Sequence, residues 1–579
     1  MNEISLLTRR SIKLIIAFTA MLISSCSEQE RPKQIPTATG KFSIIPQPLS
    51  VQPLTGKFIL SSDTRILARD DASHRVAILL NEDLKEYSGI NLEITDTPDL
   101  PDSIILTTVE DRTNPEGYVI RVEPDYIHII GSERGMFYAV QSLARLIPTE
   151  FTGAAAIPAT EIYDSPRFPY RGMHLDVARH FMPVDFVKRY IRLLSQYKFN
   201  YFHWHLTDDQ GWRIEIKKYP RLTEIGSKRP ETVLGKNYQP YRGDRIPVEG
   251  FYTQDEIREI VEYARRYYIT IIPEIDMPGH SSSALAANPN LGCKSDSPYR
   301  VKTTWGGFPD ILCPSEETFQ FVGDVLDEVI DLFPDSPYIH IGADEVVYDQ
   351  WASSDVVKEV MRTNGLQSQS QVYSWFLKKV ESQINARGKK MIGWDEMLDA
   401  PDPPNATVMS WQGLAPGIKA ANSGREVIMA PNSHAYFDRP QSESPLEPLA
   451  LGKPLSLREV YSFDPVPPEI AYQNRGFVLG AQGCLWTEFI KRPKDVEYMA
   501  FPRAIALAEV LWSPQSSRNF VDFQARLRNE LVRLDRQKVN YRKIVPMLPP
   551  GQDPKAKAIN PVSQRRDDRT KQSNRTGGK

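Results

Sequence analysis

The hydrophobic pattern of the chain divides into two parts with different repeats. Residues 41 to about 165 mix short alternating segments with helical ones, which predicts a small α+β domain. The predicted strands are Lys57–Leu60, Ser103–Thr108, Tyr118–Val122 and Tyr126–Ile130, and helices are predicted near His74–Tyr87 and Gly135–Ile147. This part carries no acid/base constellation, so we expect it to support the rest of the chain.

A regular alternation of apolar strand, loop and amphipathic helix begins at Arg167 and continues to about Trp512. The predicted strands are Tyr170–Leu175, Tyr201–Leu206, Ile269–Ile275, Tyr338–Gly342, Lys390–Gly393, Thr407–Ser410, Val427–Met429 and Val478–Ala481. The helices predicted between several of them are Val184–Gln196, Gln254–Tyr267, Glu316–Phe333 and Gln371–Asn385. Eight strand–helix units predict a (β/α)8 TIM barrel with long loops. An open doubly wound sheet is the alternative, but no glycine-rich phosphate loop follows the first strand.

The N-terminus has the pattern of an export signal. Basic residues precede an apolar run at residues 14–23, which is too short to span a bilayer as a stable helix. The run ends in the sequence ISSC, which is typical of a bacterial lipoprotein signal in which Cys26 becomes the lipidated first residue. An ordinary secretory signal is the alternative. Both interpretations predict an exported protein, lipid-anchored to a bacterial membrane in the first case.

These patterns together predict five segments. They are a signal peptide at 1–26, a polar tether at 27–40, the α+β domain at 41–165, the barrel with a helical C-terminal end at 166–548, and a disordered basic tail at 549–579.

Composition and cysteine content limit the binding partners and the cofactors that we expect for this protein. A net charge of −3 in 579 residues gives no polyanion-binding signature, so we expect no nucleic acid partner. Cys293 and Cys313 flank one loop and are able to pair in an oxidising compartment, whereas Cys484 lies in an apolar strand and is expected to be buried. No cysteine or histidine cluster has zinc spacing, and we expect no metal and no cofactor.

Charged and aromatic residues follow nearly every predicted barrel strand, where enzymes of this fold keep their active sites. In chain order the segments are RGMHLDVARHF with Arg171, HWHLTDDQGW with Asp208, PEIDMPGH with His280, HIGADE with Asp344 and Glu345, GWDE with Trp394, SWQG with Trp411, HAYFD with Tyr436 and Asp438, and CLWTE with Trp486 and Glu488. A metal site of His203, His205 and Asp208 is a weaker alternative for the second segment, because no further ligand is evident.

The adjacent carboxyls of Asp344 and Glu345 indicate acid/base chemistry, since two carboxylates in one small site cannot both ionise freely. A helix N-cap pair is the simpler alternative. Tryptophans beside carboxylates are typical of a saccharide site, because indole stacks on the C–H face of a sugar. A conventional glycosidase places its two carboxyls on different strands, whereas adjacent carboxyls fit a substrate-assisted route.

These motifs resemble glycoside hydrolase family 20, the β-N-acetylhexosaminidases, over roughly residues 40 to 548. The resemblance implies an exo-acting, retaining enzyme that removes terminal β-linked GlcNAc or GalNAc from an oligosaccharide or glycoconjugate. It implies that Glu345 is the general acid/base, that Asp344 holds the 2-acetamido group and that Tyr436 binds its carbonyl oxygen.

The resemblance also implies roles for the remaining motif residues. Trp394, Trp411 and Trp486 would wall the acetamido group and the sugar ring, Arg171, Asp438 and Glu488 would bind hydroxyls, and Asp208 with His280 would support the acid. Substrate-specific variation is expected in Gly235–Gly250 and Asn288–Pro314. Two alternatives stay open: a catalytically silent carbohydrate-binding lipoprotein, and a conventional retaining glycosidase.

Overall fold

The structure is a computed structural model that describes residues 42–97, 101–149, 153–293 and 298–543. The predicted signal peptide with Cys26, the predicted tether and the basic tail lie outside these residues. Among the described helices, none has both the length and the apolar character needed to cross a bilayer.

The N-terminal part is a seven-stranded mixed sheet with two helices, Asp71–Ser88 and Glu133–Leu146. Its strands are β1 (Ser50–Ser61), β2 (Arg65–Ala68), β3 (Glu93–Thr95), β4 (Ser103–Thr108), β5 (Tyr118–Val122), β6 (Tyr126–Gly131) and β7 (Ala154–Asp164), and their order in the sheet is β1-β7-β5-β6-β4-β2-β3. The four predicted strands and both helices are present. The prediction missed β2, β3 and β7, because β2 and β3 are only four and three residues long and β7 begins with three alanines.

The second part is a closed barrel of eight parallel strands, as predicted. Strands in this part are β8 (Tyr170–Asp176), β9 (Tyr201–Asp208), β10 (Gly211–Trp212), β11 (Lys228–Arg229), β12 (Val233–Tyr238), β13 (Tyr241–Gly243), β14 (Val248–Glu249), β15 (Thr270–Ile275), β16 (Tyr338–His340), β17 (Lys390–Trp394), β18 (Thr407–Ser410), β19 (Val427–Met429) and β20 (Val478–Gly483). The barrel runs β8-β9-β15-β16-β17-β18-β19-β20 and closes back on β8, whereas β11 pairs with β14 and β12 with β13 in separate two-stranded ribbons.

Helices surround the barrel. They are Val184–Gln196, Arg221–Glu224, Gln254–Arg266, Ser282–Ala287, Glu316–Leu332, Asp349–Ser353, Asp355–Asn364, Gln369–Ala386, Ala415–Asn422, Leu457–Ser462, Pro493–Ala500, Arg503–Trp512 and Phe520–Arg536. Short 3₁₀ turns lie at Pro289–Leu291, Asp395–Asp399, Tyr472–Phe477 and Gln515–Ser517. The helix Gln254–Arg266 shows why these segments fold: a Thr253 capping box with Glu256 starts it, and one apolar face is buried.

Buried ion pairs join the two parts. Lys198, before β9, places its Nζ 3.1 Å from Asp164 at the end of β7, and the Trp512 indole donates to the same carboxylate at 2.9 Å. Both Lys198 and Asp164 are inaccessible to solvent. Breaking such a pair leaves an uncompensated buried charge, so these contacts hold the small domain in a fixed position against the barrel.

Cys293 and Cys313 form a disulfide, and Cys484 is free and buried, as its apolar surroundings in the sequence predict. The disulfide closes the loop that leads to the mouth of the pocket described below.

Candidate active site

One pocket of about 390 Å³ opens at the carboxyl ends of the barrel strands, a volume suited to a small ligand. It contains nine of the residues selected from the sequence: His280, Asp344, Glu345, Trp394, Trp411, Tyr436, Asp438, Trp486 and Glu488. These residues come from loops that follow six of the eight strands, so the closed sheet brings them together from 209 positions of sequence.

Arg171 does not lie in this pocket, so the prediction that it binds sugar hydroxyls is wrong. It is the second residue of β8, at the amino end of the strand, and only 1% of it is exposed. Its guanidinium donates to Glu116 of the small domain at 2.7 Å and to the Tyr138 hydroxyl at 3.1 Å. The side chain is therefore a link between the two parts of the chain.

Arg179, eight residues further along the same motif, does line the pocket. It follows the carboxyl end of β8, its Nη2 lies 2.7 Å from Asp208, and its guanidinium lies 5.0 Å from the centre of the Trp486 ring. Burial opposes its charge, but Asp208 and Asp176 raise the pKa of Arg179 well above its ordinary value. Arg179 is therefore a cation held in a fixed position beside the pocket's tryptophan.

The turn that carries Asp344 and Glu345 has an unusual backbone. Gly342, Ala343 and Glu345 have φ angles of 64°, 75° and 48°, in the left-handed region that non-glycine residues rarely adopt. A Cβ atom at Gly342 would lie 1.9 Å from Asp276 Oδ1, so only glycine fits there. This turn ends β16 two residues before the predicted Gly342 and directs the two adjacent carboxyls into the pocket.

The two carboxyls differ in exposure. The side chain of Asp344 is 14% exposed and that of Glu345 is 45% exposed. Burial raises the pKa of Asp344 to about 6, further supported by the nearby Glu274 and Glu345 charges and opposed by His280. The protonation of Asp344, the inner carboxyl, therefore changes close to neutral pH.

His280 lies behind both carboxyls. Its Nε2 is 3.5 Å from Asp344 and 3.7 Å from Glu345, and its Nδ1 is 3.0 Å from Asp209 and 3.3 Å from Asp208. Asp208 is buried and does not line the pocket, and its contacts with pocket residues are those to His280 and Arg179. Burial would lower the pKa of His280, but the surrounding carboxylates raise it well above the usual value, which favours the imidazolium.

Four aromatic rings form the inner wall of the pocket: Trp394, Trp411, Tyr436 and Trp486. The rings of Trp394 and Trp486 lie 5.7 Å apart, and Trp411 stacks with Tyr436 at 5.9 Å. Carboxylates hold two of the indoles: Trp411 donates to Glu396 at 2.9 Å and Trp394 donates to Glu274 at 3.1 Å. The wall is therefore held in place by hydrogen bonds as well as by packing.

A second pair of carboxyls, Asp438 and Glu488, lines the same pocket. Burial raises the pKa of Asp438 to about 7, and the nearby Glu488 charge adds to the effect. Burial likewise raises the pKa of Glu488, which Arg179 partly offsets. Such acceptors are suited to sugar hydroxyls, which donate hydrogen bonds that a buried carboxyl otherwise lacks.

The mouth of the pocket contains residues that sequence reasoning missed. Tyr238 comes from the β12–β13 ribbon, Trp305 from the loop closed by the disulfide, and Asn432, Arg439 and Leu451 from loops after β19. Tyr238 and Trp305 fall within the two segments in which substrate-specific variation was expected, but no periodic pattern singles them out.

Several buried groups of histidine and carboxylate could supply metal ligands. In the described chain they are His174/His205/Glu274, His203/Glu274/His340, His205/Asp208/Asp276, Asp208/Asp209/His280 and Asp276/His280/Asp344. The alternative trio of His203, His205 and Asp208 does not converge, because His203 faces Glu274 and His205 lies between Glu274 and Asp208. Their nitrogen atoms already lie at hydrogen-bond distance from carboxylate oxygens.

Two family models match the chain over consecutive parts. The model of the glycosyl hydrolase family 20 catalytic domain matches residues 168–515, and the model of glycosyl hydrolase family 20 domain 2 matches residues 41–165.

The chain belongs to glycosyl hydrolase family 20.

Named relatives agree with this family 20 assignment. A β-hexosaminidase of Porphyromonas gingivalis is 39% identical over 540 residues, covering 91% of this chain and 68% of the relative. A β-hexosaminidase of Vibrio furnissii is 35% identical over 499 residues, covering 84% of this chain and 79% of the relative.

Solved family 20 structures have the same fold. An exo-β-N-acetylglucosaminidase of Vibrio harveyi in complex with N-acetylglucosamine superposes with a TM-score of 0.78 at 32% identity, covering 90% of this chain and 81% of the other. A β-N-acetylhexosaminidase of Streptomyces coelicolor gives 0.75 at 29% identity, covering 89% of this chain and 98% of the other. The closed barrel with a preceding α+β domain is therefore the family 20 architecture.

Proposed function

We propose that this chain is an exo-acting β-N-acetylhexosaminidase that removes terminal non-reducing β-linked GlcNAc or GalNAc by a retaining, substrate-assisted mechanism. The observation that carries the proposal is the pair of adjacent carboxyls, Asp344 buried and Glu345 half-exposed, facing an aromatic wall. Family membership and the named β-hexosaminidase relatives support the same activity.

The two carboxyls differ in exposure, as the substrate-assisted mechanism requires. Glu345, on the open side, donates a proton to the leaving glycosidic oxygen and later takes one from water. Asp344, on the buried side, is ionised and accepts a hydrogen bond from the N–H of the substrate's 2-acetamido group. Because the amide oxygen gains nucleophilicity only when a fixed anion stabilises the positive charge that develops on the nitrogen, the dry position of Asp344 is the useful one.

The chemistry proceeds in two displacements at C1. In the first, the acetamido oxygen forms a bond to C1 while the bond to the leaving oxygen breaks and Glu345 supplies its proton. In the second, water attacks C1 of the oxazolinium, its proton passes to Glu345, and the C1–O bond of the five-membered ring breaks. Two inversions leave the product in the β-configuration.

Family membership and a place in the pocket lining support the remaining roles. Tyr436 binds the acetamido oxygen, and Trp394, Trp411 and Trp486 enclose the acetyl methyl and stack under the ring. Arg179, Asp438 and Glu488 bind hydroxyls of the terminal sugar, with Arg179 taking the role that the sequence interpretation gave to Arg171.

Activity on an aryl β-N-acetylglucosaminide tests the proposal and distinguishes it from a silent carbohydrate-binding protein. Tight inhibition by a thiazoline that mimics the oxazoline is expected, and its absence would favour a conventional retaining enzyme. NMR of the first-formed sugar should show the β-anomer, and a panel of defined glycans with terminal β-linked N-acetylhexosamine would identify the preferred oligosaccharide or glycoconjugate.

We propose further that the protein is exported and held at a bacterial membrane by lipid on Cys26. The support is the basic, apolar and ISSC sequence of residues 1–26. Each buried CH₂ of an acyl chain contributes about 0.8 kcal/mol to membrane binding. Cys26→Ser should therefore move the protein from the membrane fraction to the soluble fraction without changing its rate, and a variant that still sediments with membranes would refute the anchor.

A further inference from the structure

Glu274 is a fully buried carboxylate inside the barrel that the mechanism above does not use. It lies on β15, below the floor of the pocket, and does not line it. A buried charge is costly unless it is paired, and an apolar side chain is often a stable replacement for a buried ion pair, so stability alone does not explain a carboxylate at this position.

The two oxygens of Glu274 hold different parts of the site. Oε1 accepts from the indole N–H of Trp394 at 3.1 Å, and Trp394 is part of the aromatic wall. Oε2 lies 2.5 Å from Nδ1 of His205 and 3.0 Å from Nε2 of His203. The Nδ1 of His203 accepts from the amide N–H of Gln482 at 3.0 Å, so its Nε2 carries the proton; this atom lies 3.0 Å from Glu274 but without the alignment of a hydrogen bond.

His205 connects Glu274 to Asp208, which lies close to the residues of the catalytic pair. Its Nδ1 faces Glu274 and its Nε2 lies 2.9 Å from Asp208, so a carboxylate stands at each ring nitrogen. Both nitrogens therefore carry protons. Asp208 in turn lies 3.3 Å from Nδ1 of His280, whose Nε2 approaches Asp344 and Glu345.

The same carboxylate thus contacts the aromatic wall directly and is connected to the acid/base pair through His205, Asp208 and His280. We propose that Glu274 is a positioning residue that fixes the acetamido wall through Trp394 and the acid/base pair through His205, Asp208 and His280. The proposal rests on the proposed function, since the two groups matter together only if the acetamido oxygen is the nucleophile. A displacement of about 1 Å between reacting groups is enough to cost about 10²-fold in rate.

The direct test is Glu274→Gln. The amide keeps the volume, but it has one acceptor oxygen and an NH₂ donor where the structure needs acceptors on both sides. We expect kcat on an aryl β-N-acetylglucosaminide to fall at least tenfold per folded molecule, with KM changed less than threefold. We also expect thiazoline binding to weaken at least tenfold while binding of GlcNAc changes little. The thiazoline resembles the oxazoline intermediate, and only this ligand requires Trp394 and the acid/base pair to be held at the correct distance from each other.

The chain offers a matched control in Asp164→Asn. Asp164 is also a fully buried carboxylate that accepts from an indole, that of Trp512, and pairs with a cation, Lys198, but it lies at the domain interface. Loss of stability in this variant with unchanged kcat, KM and thiazoline affinity is the expected result. If Glu274→Gln behaves in the same way, Glu274 is only structural and the proposal is overturned.

A second variant, Glu274→Asp, tests the proposal if Glu274→Gln fails to fold. Glu274→Asp keeps the charge but shortens the reach by one methylene, so it cannot hold Trp394 and His205 together. The same selective loss of kcat and thiazoline affinity is expected, and full activity in this variant would overturn the proposal. Wild-type protein without hexosaminidase activity would instead reject the proposed function itself, which separates the two failures.

Discussion

The Nε2 atom of His280 lies 3.5 Å from a carboxylate oxygen of Asp344. This contact places a buried positive charge beside the carboxyl that must be an anion for the acetamido group to be held. Burial raises the pKa of Asp344 and His280 lowers it again, so the balance between them sets the pH at which the site becomes competent. The first prediction concerns that pH.

The rate should fall below pH 6. Because the pKa of Asp344 is raised to about 6, the carboxyl is an anion above that value and becomes protonated as the pH falls through it. A protonated Asp344 no longer stabilises the oxazolinium, so kcat should decline roughly tenfold per pH unit on the acid side. The measurement is kcat against pH on both sides of 6, with an aryl substrate whose good leaving group needs little protonation.

Asp344→Asn is the companion variant. Its kcat should be low and should show no acid limb near pH 6, with KM raised less than kcat is lowered, because the interaction is stronger in the transition state than in the ground state. An unchanged kcat would show that Asp344 does not hold the acetamido group.

Glu345→Gln should lose about 10²–10⁴ in kcat on substrates with poor leaving groups, since nothing then protonates the departing oxygen. Azide should partly restore the rate with activated leaving groups by forming a β-azide product. The 45% exposure of the side chain predicts an unchanged melting temperature, so activity per folded molecule is directly comparable. Activity close to that of the wild type would remove Glu345 from the acid/base role.

The two arginines of the RGMHLDVARHF motif provide a paired test. Arg171→Met removes the nearest cation from the buried Glu116 and leaves Arg134 at 3.7 Å, so it should lower the free energy of unfolding by up to about 3–5 kcal/mol, with kcat and KM unchanged per folded molecule. Arg179→Met removes the pocket cation beside Asp208, so kcat/KM should fall about 10²-fold or more. Denaturant unfolding and steady-state kinetics on both variants measure the difference, and a catalytic defect confined to Arg171→Met would reverse the assignment.

The contrast between these arginines shows which parts of the site can be predicted from the sequence. Periodicity located all eight barrel strands, because buried parallel strands are continuous apolar runs. Arg171 is the second residue of such a run, and barrel sites lie at the other end of the strand, so strand position already favoured Arg179. The error came from choosing the first arginine in a motif rather than the one beyond the strand.

Other parts of the site carry no such signal. Tyr238 and Trp305 reach the pocket through loops, and their path depends on a ribbon and a disulfide that periodicity does not encode. Glu274 belongs to a strand in which Ile271 to Ile275 are all buried, and no alternation of burial distinguishes the residues that face the barrel axis. Its four close partners come from three other strands, and only the closed register of the barrel brings them together.

The most discriminating prediction concerns the substrate's own amide. If the acetamido oxygen attacks C1, replacing the hydrogens of the acetyl methyl with one, two and three fluorines should lower kcat at each step, because each fluorine withdraws electron density from the carbonyl. The aromatic pocket of Trp394, Trp411 and Trp486 has room for so small a change, so KM should respond less than kcat. Glycosides with a 2-hydroxyl in place of the acetamido group should bind but react hardly at all. The slope of log kcat against the electron-withdrawing power of the acetyl group is the measured quantity, and a conventional carboxylate nucleophile would give a flat line.

Because Asp344→Asn weakens stabilisation of the same developing charge, its slope should also differ from that of the wild type, whereas Glu345→Gln with an activated leaving group should retain it.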